Sequence, residues 1–331
     1  MKKEYGGYLP IELPKGQAYY HGAHVVPLNA GRYAVVYAIR DAGWDGICLP
    51  YYICATVEEA IRAYLPGLCI RYYHIDEEFL PISVSLEENE GILWVNYFGV
   101  QPDEVVDRMA REFYGHLIID HTQSFFTAPR KGAYQVYSCR KFFGVCDGSY
   151  VIHENISKRE LPDSCSSPYA DHLLYSLEYG TNYSCARNKE NEERLGQCGM
   201  SAMSPLTSAI LGAVDYAAVR HRRTENMEAL HRILEPYNQL SMKQPAPVMS
   251  YPFLCERTGL REELVRRKIY VPKLWEETAG NARASSWEVY LSENLCVLPV
   301  DQRYTGDDMN EIGNVILRIL NDKATVSGNA G

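Results

Sequence analysis

Short apolar runs alternate with amphipathic segments in the first half of the chain. The amphipathic segments after Gly31 and after Thr56, and the segment 102–115, have the spacing of helices. The apolar runs predict strands at 46–50, 69–76, 91–99, 116–121, 134–138 and 148–153. Since the connections are short and the runs at 47–49 and 117–119 are apolar on both faces, we predict an α/β fold whose mostly parallel sheet carries helices on both faces.

The pattern after about residue 155 is different, with longer polar stretches and fewer strands. A helix is predicted over about 170–180, and the polar stretch 181–199 is predicted as a long exposed loop or a frayed helix. Ser204 as N-cap and Pro205 at the first helical position predict one long helix from 204 to about 234. Further short elements are expected, with strands at 249–255, 286–291 and 294–300 and helices at 261–268 and 307–320.

These patterns divide the chain into a large α/β domain and a smaller C-terminal α+β domain. The large domain is predicted over 1–200, with an irregular N-terminal arm over 1–28, and the smaller domain over 201–322. The last residues, 323–331, are expected to form a disordered tail. Because ligands bind at the carboxyl ends of the strands in such sheets, functional residues are expected where strands end.

Composition and charge narrow the functional classes. The 331 residues are 46% hydrophobic and 23% charged, as in a soluble globular protein, and the formal net charge of −9 argues against a nucleic-acid partner. No run approaches the roughly 20 apolar residues of a membrane span, and no signal peptide is expected. The ten cysteines include no C-x-x-C pair, so we expect a reduced, cytoplasmic protein. No metal site is expected, because His21 and His24 have no third ligand nearby.

Candidate chemistry is concentrated between residues 118 and 151. Asp120 ends an apolar run, Gln123 follows three positions later, and Lys141 lies in the loop SCRKFFG. A carboxylate at the mouth of a buried strand and a lysine on a nearby loop are what a pyridoxal phosphate site requires, for the ring nitrogen and for imine formation. Arg140 and the two phenylalanines after Lys141 are expected to lower the lysine pKa from its usual value of about 10.4.

The order of these segments resembles a known family. A Gly-turn helix AGRYAVV is followed by PYYICATVEEAI, by a strand ending in NYFG, by IIDHTQ, and by a Ser-x-x-Lys loop with FFGVCDGSYVI. This order is similar to that of fold-type I pyridoxal phosphate enzymes, specifically the DegT-like sugar aminotransferases, over nearly the whole chain. The resemblance implies a homodimer with its active site near the interface. It also implies amino transfer from a donor such as glutamate to a keto or aldehyde acceptor, for which a nucleotide-linked keto-sugar is a candidate.

The resemblance assigns residues to the cofactor ring and its reactive aldehyde. It implies that Lys141 forms the imine and moves the proton during transfer, that Asp120 pairs with the pyridinium nitrogen, and that Gln123 hydrogen-bonds the ring hydroxyl oxygen. Either Tyr51 or Tyr52 would stack on the ring, because the alignment over PYYICAT leaves both open.

The resemblance also implies a phosphate site. Ser138 and the backbone N–H groups around Gly31 and Arg32 would hold the cofactor phosphate at the start of the first helix, where the dipole favours an anion. Family members often have Asn-Tyr-Arg before the Met-Ser that opens the long helix, whereas this chain has Met-Ser-Ala there. A phosphate contact from a partner subunit would therefore come from elsewhere, with Asn182 and Arg187 as candidates.

Two other functions are compatible with the sequence. The loop after Lys141 is tighter than is usual in the family and lacks its Gly-Glu-Gly-Gly ending. A pyridoxal phosphate-binding regulatory protein, or a non-transaminating protein of the same fold, is therefore an alternative. A nucleotide-binding α/β protein that uses the Gly31 turn is a second alternative, although the chain lacks a full G-x-G-x-x-G pattern there. Retention of Lys141 favours transamination over the dehydratase chemistry of relatives that replace the lysine.

Overall fold

Seven strands form the central sheet of the chain, for which the computed structural model describes residues 5–243 and 246–322. The strands are β1 (Val25–Leu28), β2 (Gly46–Pro50), β3 (Cys69–Tyr73), β4 (Glu90–Val95), β5 (Leu117–Asp120), β6 (Ala133–Ser138) and β7 (Ser149–Ile152). Their spatial order is β1-β7-β6-β5-β4-β2-β3. The neighbours from β3 to β6 run parallel, and β7 is antiparallel to both β6 and β1. The predicted mostly parallel sheet is confirmed.

Helices cover both faces of this sheet. The helices of the first two thirds are α1 (Gly31–Ala42), α2 (Ala55–Tyr64), α3 (Asp103–Glu112), α4 (Asp171–Tyr179) and α5 (Thr181–Gln197). Every residue of β4, β5 and β6 is buried. Because successive side chains of a strand point to opposite faces, continuous burial requires a covering layer on each side.

A small second sheet is built from the C-terminal third. The elements are α6 (Pro205–Gly212), α7 (Tyr216–Leu234), β8 (Ser250–Leu254), α8 (Leu260–Arg266), α9 (Ser286–Asn294), β9 (Leu295–Pro299) and α10 (Gly306–Asn321). Strands β8 and β9 pair antiparallel. Their fully buried residues Phe253 and Leu298 pack in one core with Leu230 of α7 and Ile316 of α10. The α+β character predicted for this part is therefore present, while the domain boundaries stay a prediction.

Strand direction brings several chain segments to one edge of the large sheet. Strands β1 and β6 run the same way, since both are antiparallel to β7, and Leu28, Ser149 and Ser138 lie in register across the three strands. Asp120 ends β5, the neighbour of β6. The start of α1, Ser138 and Asp120 therefore share the carboxyl edge, where ligands bind in such sheets.

Two predicted elements of the C-terminal part were wrong. The segment 286–291 is helical rather than a strand, because the Ser285 side chain accepts from the Glu288 N–H and Glu288 returns a bond to the Ser285 N–H, a capping box that initiates α9. The predicted helix over 204–234 is two helices. The first begins at the expected Ser204 cap and ends at Gly212, and Asp215 caps the second.

Two further predictions need correction. The arm over 1–28 is not irregular throughout, because 25–28 forms β1 against β7. Helix α2 begins at Ala55 with Cys54 at its N-cap, two residues earlier than a helix that starts after Thr56. Of the two alternatives for the polar stretch 181–199, a loop or a frayed helix, the structure shows a helix, α5. The predicted tail over 323–331 lies outside the described residues. Across the ranges that the structure describes, none of the helices combines the length and apolar character needed to cross a bilayer.

Candidate functional site

Asp120 is a buried carboxylate at the carboxyl end of β5. Its side chain is 8% exposed, and its Oδ1 accepts a hydrogen bond of 2.8 Å from the Thr122 backbone N–H. Burial raises the pKa of Asp120, while the Thr122 bonds and the Lys141 charge oppose that rise. Among the described residues, no cation forms an ion pair with Asp120. A buried carboxylate without a cation is costly, so this position favours a positively charged ligand group.

Gln123 has its side-chain amide fixed in orientation. The Phe98 backbone N–H donates to Gln123 Oε1 at 2.7 Å, and Gln123 itself is buried. Because the oxygen already accepts a bond, the Nε2 group remains as a donor. Phe98 has a φ of 58°, a left-handed conformation that an ordinary side chain rarely adopts. The local backbone is therefore strained where its N–H meets Gln123.

Gly99, next to Phe98, makes this turn possible. Its φ is 70°, and a Cβ there would lie 2.8 Å from the Ser124 Cβ. We expect Gly99→Ala to lower the free energy of unfolding by about 2 kcal/mol, because it combines left-handed strain with overpacking. Urea unfolding followed by circular dichroism measures this. Gly67→Ala is the control, since Gly67 has open space around its Cα. Equal stability of the two variants would contradict the account.

Lys141 ends a one-turn 3₁₀ helix, Cys139–Lys141, directly after β6. Its side chain is accessible to solvent, yet protein surrounds it closely enough that burial lowers its pKa from the ordinary 10.5. The charges of Arg140 and Arg32 lower the pKa further, and Cys54 and Asp120 oppose them. Among the described residues, the Lys141 ammonium has no hydrogen-bond or ion-pair partner. The site therefore holds an amine with an increased neutral, nucleophilic fraction.

Two arginines, Arg140 and Arg32 of the first turn of α1, make the surroundings of Lys141 electropositive. Arg140 forms an ion pair with Glu192 of α5, but its Nε is buried without a partner, and burial together with Arg32 lowers the pKa of Arg140 to about 10. Within the described part of the chain, the Arg32 guanidinium has no bonding partner. The N–H groups of Gly31 and Arg32 point out of the first turn, as at any helix start. Cations and free N–H groups together form a site for an anion.

Ser138 and the start of α1 lie close to the end of β5. Ser138 is 6% exposed, and its hydroxyl makes no hydrogen bond to the described residues. A Cβ at Gly31 would lie 3.6 Å from Thr122 Oγ1, so the first turn of α1 contacts the residues that follow Asp120. The structure thus gathers the predicted positions at one edge of the sheet.

The two tyrosines predicted as alternatives for a ring contact already pack against protein. The Tyr51 ring stacks on Tyr72 and His74, with centroids 5.0 and 4.7 Å apart. Tyr52 is fully buried against Tyr97 and has a hydroxyl without a partner. Either ring therefore has an established neighbour.

Two residues near the site were not singled out from the sequence. Cys54, the N-cap of α2, has its sulfur 3.1 Å from Thr56 Oγ1 and is close enough to Lys141 to act on its pKa. His121 is fully buried, its Nε2 lies 2.9 Å from Gln135 Oε1, and burial lowers its pKa to about 3. The nearness of Cys54 to Lys141 depends on tertiary packing, which sequence spacing does not report, whereas His121 directly follows Asp120 in the sequence.

The two residues considered for a contact across a subunit interface have partners within the chain. Arg187 pairs with Asp171 at 3.1 Å and lies over the Tyr175 ring. Asn182 accepts a hydrogen bond of 2.5 Å from the Tyr270 hydroxyl. Both lie on α5, whose Glu192 reaches Arg140.

Comparison with known proteins gives a match in structure. No protein-family model matches the chain, and no curated protein matches it. Solved structures do match. The sugar aminotransferase CalS13 from Micromonospora echinospora is 15% identical with a TM-score of 0.60, over 88% of this chain and 86% of that one. DesI, in the presence of its TDP-sugar product, is 16% identical with a TM-score of 0.63, over 92% and 83%. The PMP-form of the sugar aminotransferase Spr1654 from Streptococcus pneumoniae is 13% identical, with a TM-score of 0.61 over 92% and 87%.

The chain has the sugar-aminotransferase fold. At such low identity the likeness is one of architecture, and it confirms the fold-type I resemblance inferred from the order of the segments. In this fold, Asp120 and Ser138 are the last residues of the neighbouring parallel strands β5 and β6, and Lys141 lies in the turn after Ser138. The roles assigned to them remain predictions.

Proposed function

We propose that this chain is a pyridoxal phosphate-dependent aminotransferase. One observation carries the proposal: the sheet edge holds an amine of lowered pKa, Lys141, and a buried carboxylate, Asp120, and among the described residues neither has an ion-pair partner. An amine nucleophile and an unneutralised carboxylate are the two groups that this cofactor uses most directly. The match to solved aminotransferases, among them one in a PMP-form and a PLP-form, supports the same reading.

The protein groups left without partners fit the groups of the cofactor. Asp120 suits a protonated ring nitrogen, and the Nε2 of Gln123 suits the ring hydroxyl oxygen. Arg32, the first turn of α1 and the Ser138 hydroxyl suit the phosphate. For the ring face, Tyr51 and Tyr52 stay candidates. Cys54 joins them as a candidate, because its thiol acts on the pKa of Lys141 and therefore lies near the amine.

The residues of the site would divide the chemistry between them. When bound, pyridoxal phosphate supplies an electron sink for the carbon that carries the transferred amino group. Asp120 would hold positive charge on the ring nitrogen in a water-poor environment, where its field is strong. Lys141 Nζ would take the proton from the substrate carbon, a task suited to an amine whose pKa burial and Arg140 have lowered.

Glutamate is the proposed amino donor, and a nucleotide-linked keto-sugar is the proposed acceptor. The DesI structure contains a TDP-sugar product, which supports a sugar acceptor for a chain of the same fold. The partners of the chain would accordingly be small molecules. The negative net charge of −9 is consistent with the absence of a nucleic-acid substrate.

We also propose a cytoplasmic homodimer. Helix α4 and the start of α5 expose Leu174, Leu177, Tyr179 and Tyr183, with 53%, 85%, 57% and 66% of their surface accessible. Contiguous exposed apolar side chains are typical of a protein interface. Nine cysteines are described as free thiols, which suits a reducing compartment. Sedimentation velocity of the full chain would measure the assembly, and a monomer at micromolar concentration would contradict the dimer.

A donor screen tests the proposed reaction. The purified protein is loaded with pyridoxal phosphate, and its visible absorption band is followed after each amino acid is added. An aminotransferase is expected to lose the band with glutamate and to release 2-oxoglutarate, while the cofactor is recovered as pyridoxamine phosphate. A stable band with every donor would contradict transamination and favour the regulatory or non-transaminating alternative, which the tight loop after Lys141 motivates.

Arg32 is expected to select the phosphorylated cofactor. Arg32→Gln should weaken pyridoxal phosphate binding about 10- to 100-fold, because a charged hydrogen bond to the phosphate is lost. Binding of pyridoxal, which has no phosphate, should be nearly unchanged. Spectral titration measures both affinities. Arg40→Gln, at the opposite end of α1, is the control, and equal losses for both ligands would contradict the phosphate role.

A further inference from the structure

Arg223 is a buried cation with which no carboxylate of the described residues forms an ion pair. The residue lies on α7 and is 2% exposed. Its four hydrogen bonds go to neutral oxygens. The acceptors are the carbonyls of Val248, Met249 and Phe142 and the side-chain oxygen of Gln302, at 2.8, 3.1, 3.2 and 2.8 Å. The nearest acidic charge, Asp301, is paired with Arg303. Because burying a guanidinium among neutral acceptors is costly, the arrangement calls for a reason beyond packing.

Two of these contacts lead to the proposed cofactor site. The Phe142 carbonyl belongs to the residue directly after Lys141, and it accepts a second bond of 2.8 Å from Gln302 Nε2. The Met249 backbone N–H donates to the Gln123 carbonyl at 3.3 Å. One guanidinium therefore connects the backbone beside Lys141 to the segment that holds the backbone of Gln123.

The geometry also restricts movement of the lysine loop. The Arg223 guanidinium lies over the Phe142 ring, 4.5 Å from its centroid, so the ring and the carbonyl of Phe142 are both held from the C-terminal part of the chain. Lys141 has no bond of its own among the described residues, so its position depends on the backbone at either side.

We propose that Arg223 is a positioning residue for Lys141, holding the lysine loop at a fixed distance from Gln123 through Phe142 and Met249. The inference rests on the proposed function, because it gives Lys141 its task. Arg223 touches neither substrate nor cofactor in this account. Arg223 fixes the position of the Lys141 amine, and Gln302 contributes by donating a second hydrogen bond to the Phe142 carbonyl.

Four variants separate positioning from charge and from stability. Arg223→Met removes the charge and all the hydrogen bonds of the guanidinium. Arg223→Lys keeps the charge but lacks the planar guanidinium group, whose N–H donors reach several carbonyls. Gln302→Leu removes the bond to Phe142 and the acceptor of the Arg223 Nε–H without changing charge. Arg222→Met is the matched control, because Arg222 is the neighbouring, partly exposed arginine, whose ion-pair partner among the described residues is Glu225. The groups that act on Lys141 (Arg140, Arg32, Cys54 and Asp120) stay unchanged in all four.

The first measurement uses the full-length protein without cofactor. Acetylation of Lys141 by acetic anhydride is followed across pH by peptide mass spectrometry, which gives the pKa of Lys141. Release of the loop into solvent should raise that pKa toward the ordinary 10.5 in Arg223→Met and Arg223→Lys, and by less in Gln302→Leu. Arg222→Met should match the wild type. A thermal melt of each variant reports folding separately.

The second measurement adds pyridoxal phosphate. Its visible band should appear about tenfold more slowly at pH 8 in Arg223→Lys, since a raised pKa lowers the neutral fraction of the Lys141 amine. An unchanged acetylation profile in Arg223→Lys and Gln302→Leu, with a lowered melting temperature, would overturn the inference and leave Arg223 structural. If Arg223→Met does not fold, the acetylation profiles of Arg223→Lys and Gln302→Leu alone test the positioning role. A wild-type protein that forms no band refutes the proposed function, while the acetylation profiles still decide the role of Arg223.

Discussion

Replacing Lys141 with alanine is expected to lower the rate of amino transfer by about 10³-fold or more. The variant loses the amine that attacks the cofactor and the base that moves the substrate proton, and acid–base catalysis alone contributes roughly 10² to 10⁴. The visible band of lysine-bound pyridoxal phosphate should be absent. Steady-state assays with glutamate and absorbance spectra of the purified variant measure both effects.

Loss of folding is not expected to account for that result. Lys141 has no bonding partner among the described residues, and the like charges of Arg140 and Arg32 repel its ammonium group. Removal of the side chain should therefore keep or raise the melting temperature. Lys131→Ala is the control, because Lys131 is an exposed lysine at the opposite end of β6. An unchanged band in Lys141→Ala would show that another lysine carries the cofactor.

Changing Asp120 to asparagine is expected to lower the transfer rate about 100- to 1000-fold. The amide keeps the shape and can still accept the Thr122 N–H bond, but the negative charge that would stabilise the ring cation is lost. The rate constant for loss of the visible band with glutamate measures the effect in a single turnover. Asp45→Asn, which precedes β2 at the other edge of the sheet, should retain wild-type rates.

The same substitution should stabilise the cofactor-free protein. An acid whose pKa is raised by folding binds more protons when folded, so stability falls as the pH rises above the ordinary value of 3.8. Asp120→Asn removes that penalty, and its advantage in melting temperature over the wild type should grow from pH 4 to pH 7. A variant that is less stable than the wild type at pH 7 would show that Asp120 has a structural partner.

The large sheet was predictable because its strands are buried on both faces. Continuous apolar runs bounded by helical segments, such as 46–50 and 117–119, carry a strong local signal, and their carboxyl ends then locate Asp120 and Ser138. Strand β1 was missed because its pairing with β7 is made over a long sequence separation, which the pattern of 25–28 alone does not reveal.

The failures in the C-terminal part have local causes. The alternation in 286–291 favoured a strand, but the capping box of Ser285 and Glu288 is the stronger signal, and both residues are visible in the sequence. The break after Gly212 has a local signal as well, because the Asp215 side chain accepts from the Ala218 N–H and caps the second helix.

The candidate site was predictable in identity but not in environment. The residue types and their order indicated Lys141, Asp120 and Gln123. Distant segments set their surroundings: the strained Phe98 donates its N–H to Gln123, and Arg223 binds the carbonyl next to Lys141. The physical argument for the cofactor rests on the lowered pKa of Lys141 and the burial of Asp120, which become visible only in the folded structure.

Borohydride trapping tests the central claim most directly. The full-length protein is mixed with pyridoxal phosphate, reduced with sodium borohydride, digested and mapped by mass spectrometry. The account predicts a single phosphopyridoxyl label on Lys141, lost in Lys141→Ala and weakened in Arg32→Gln. A label on any other lysine, or no label at saturating cofactor, would contradict the proposed cofactor site.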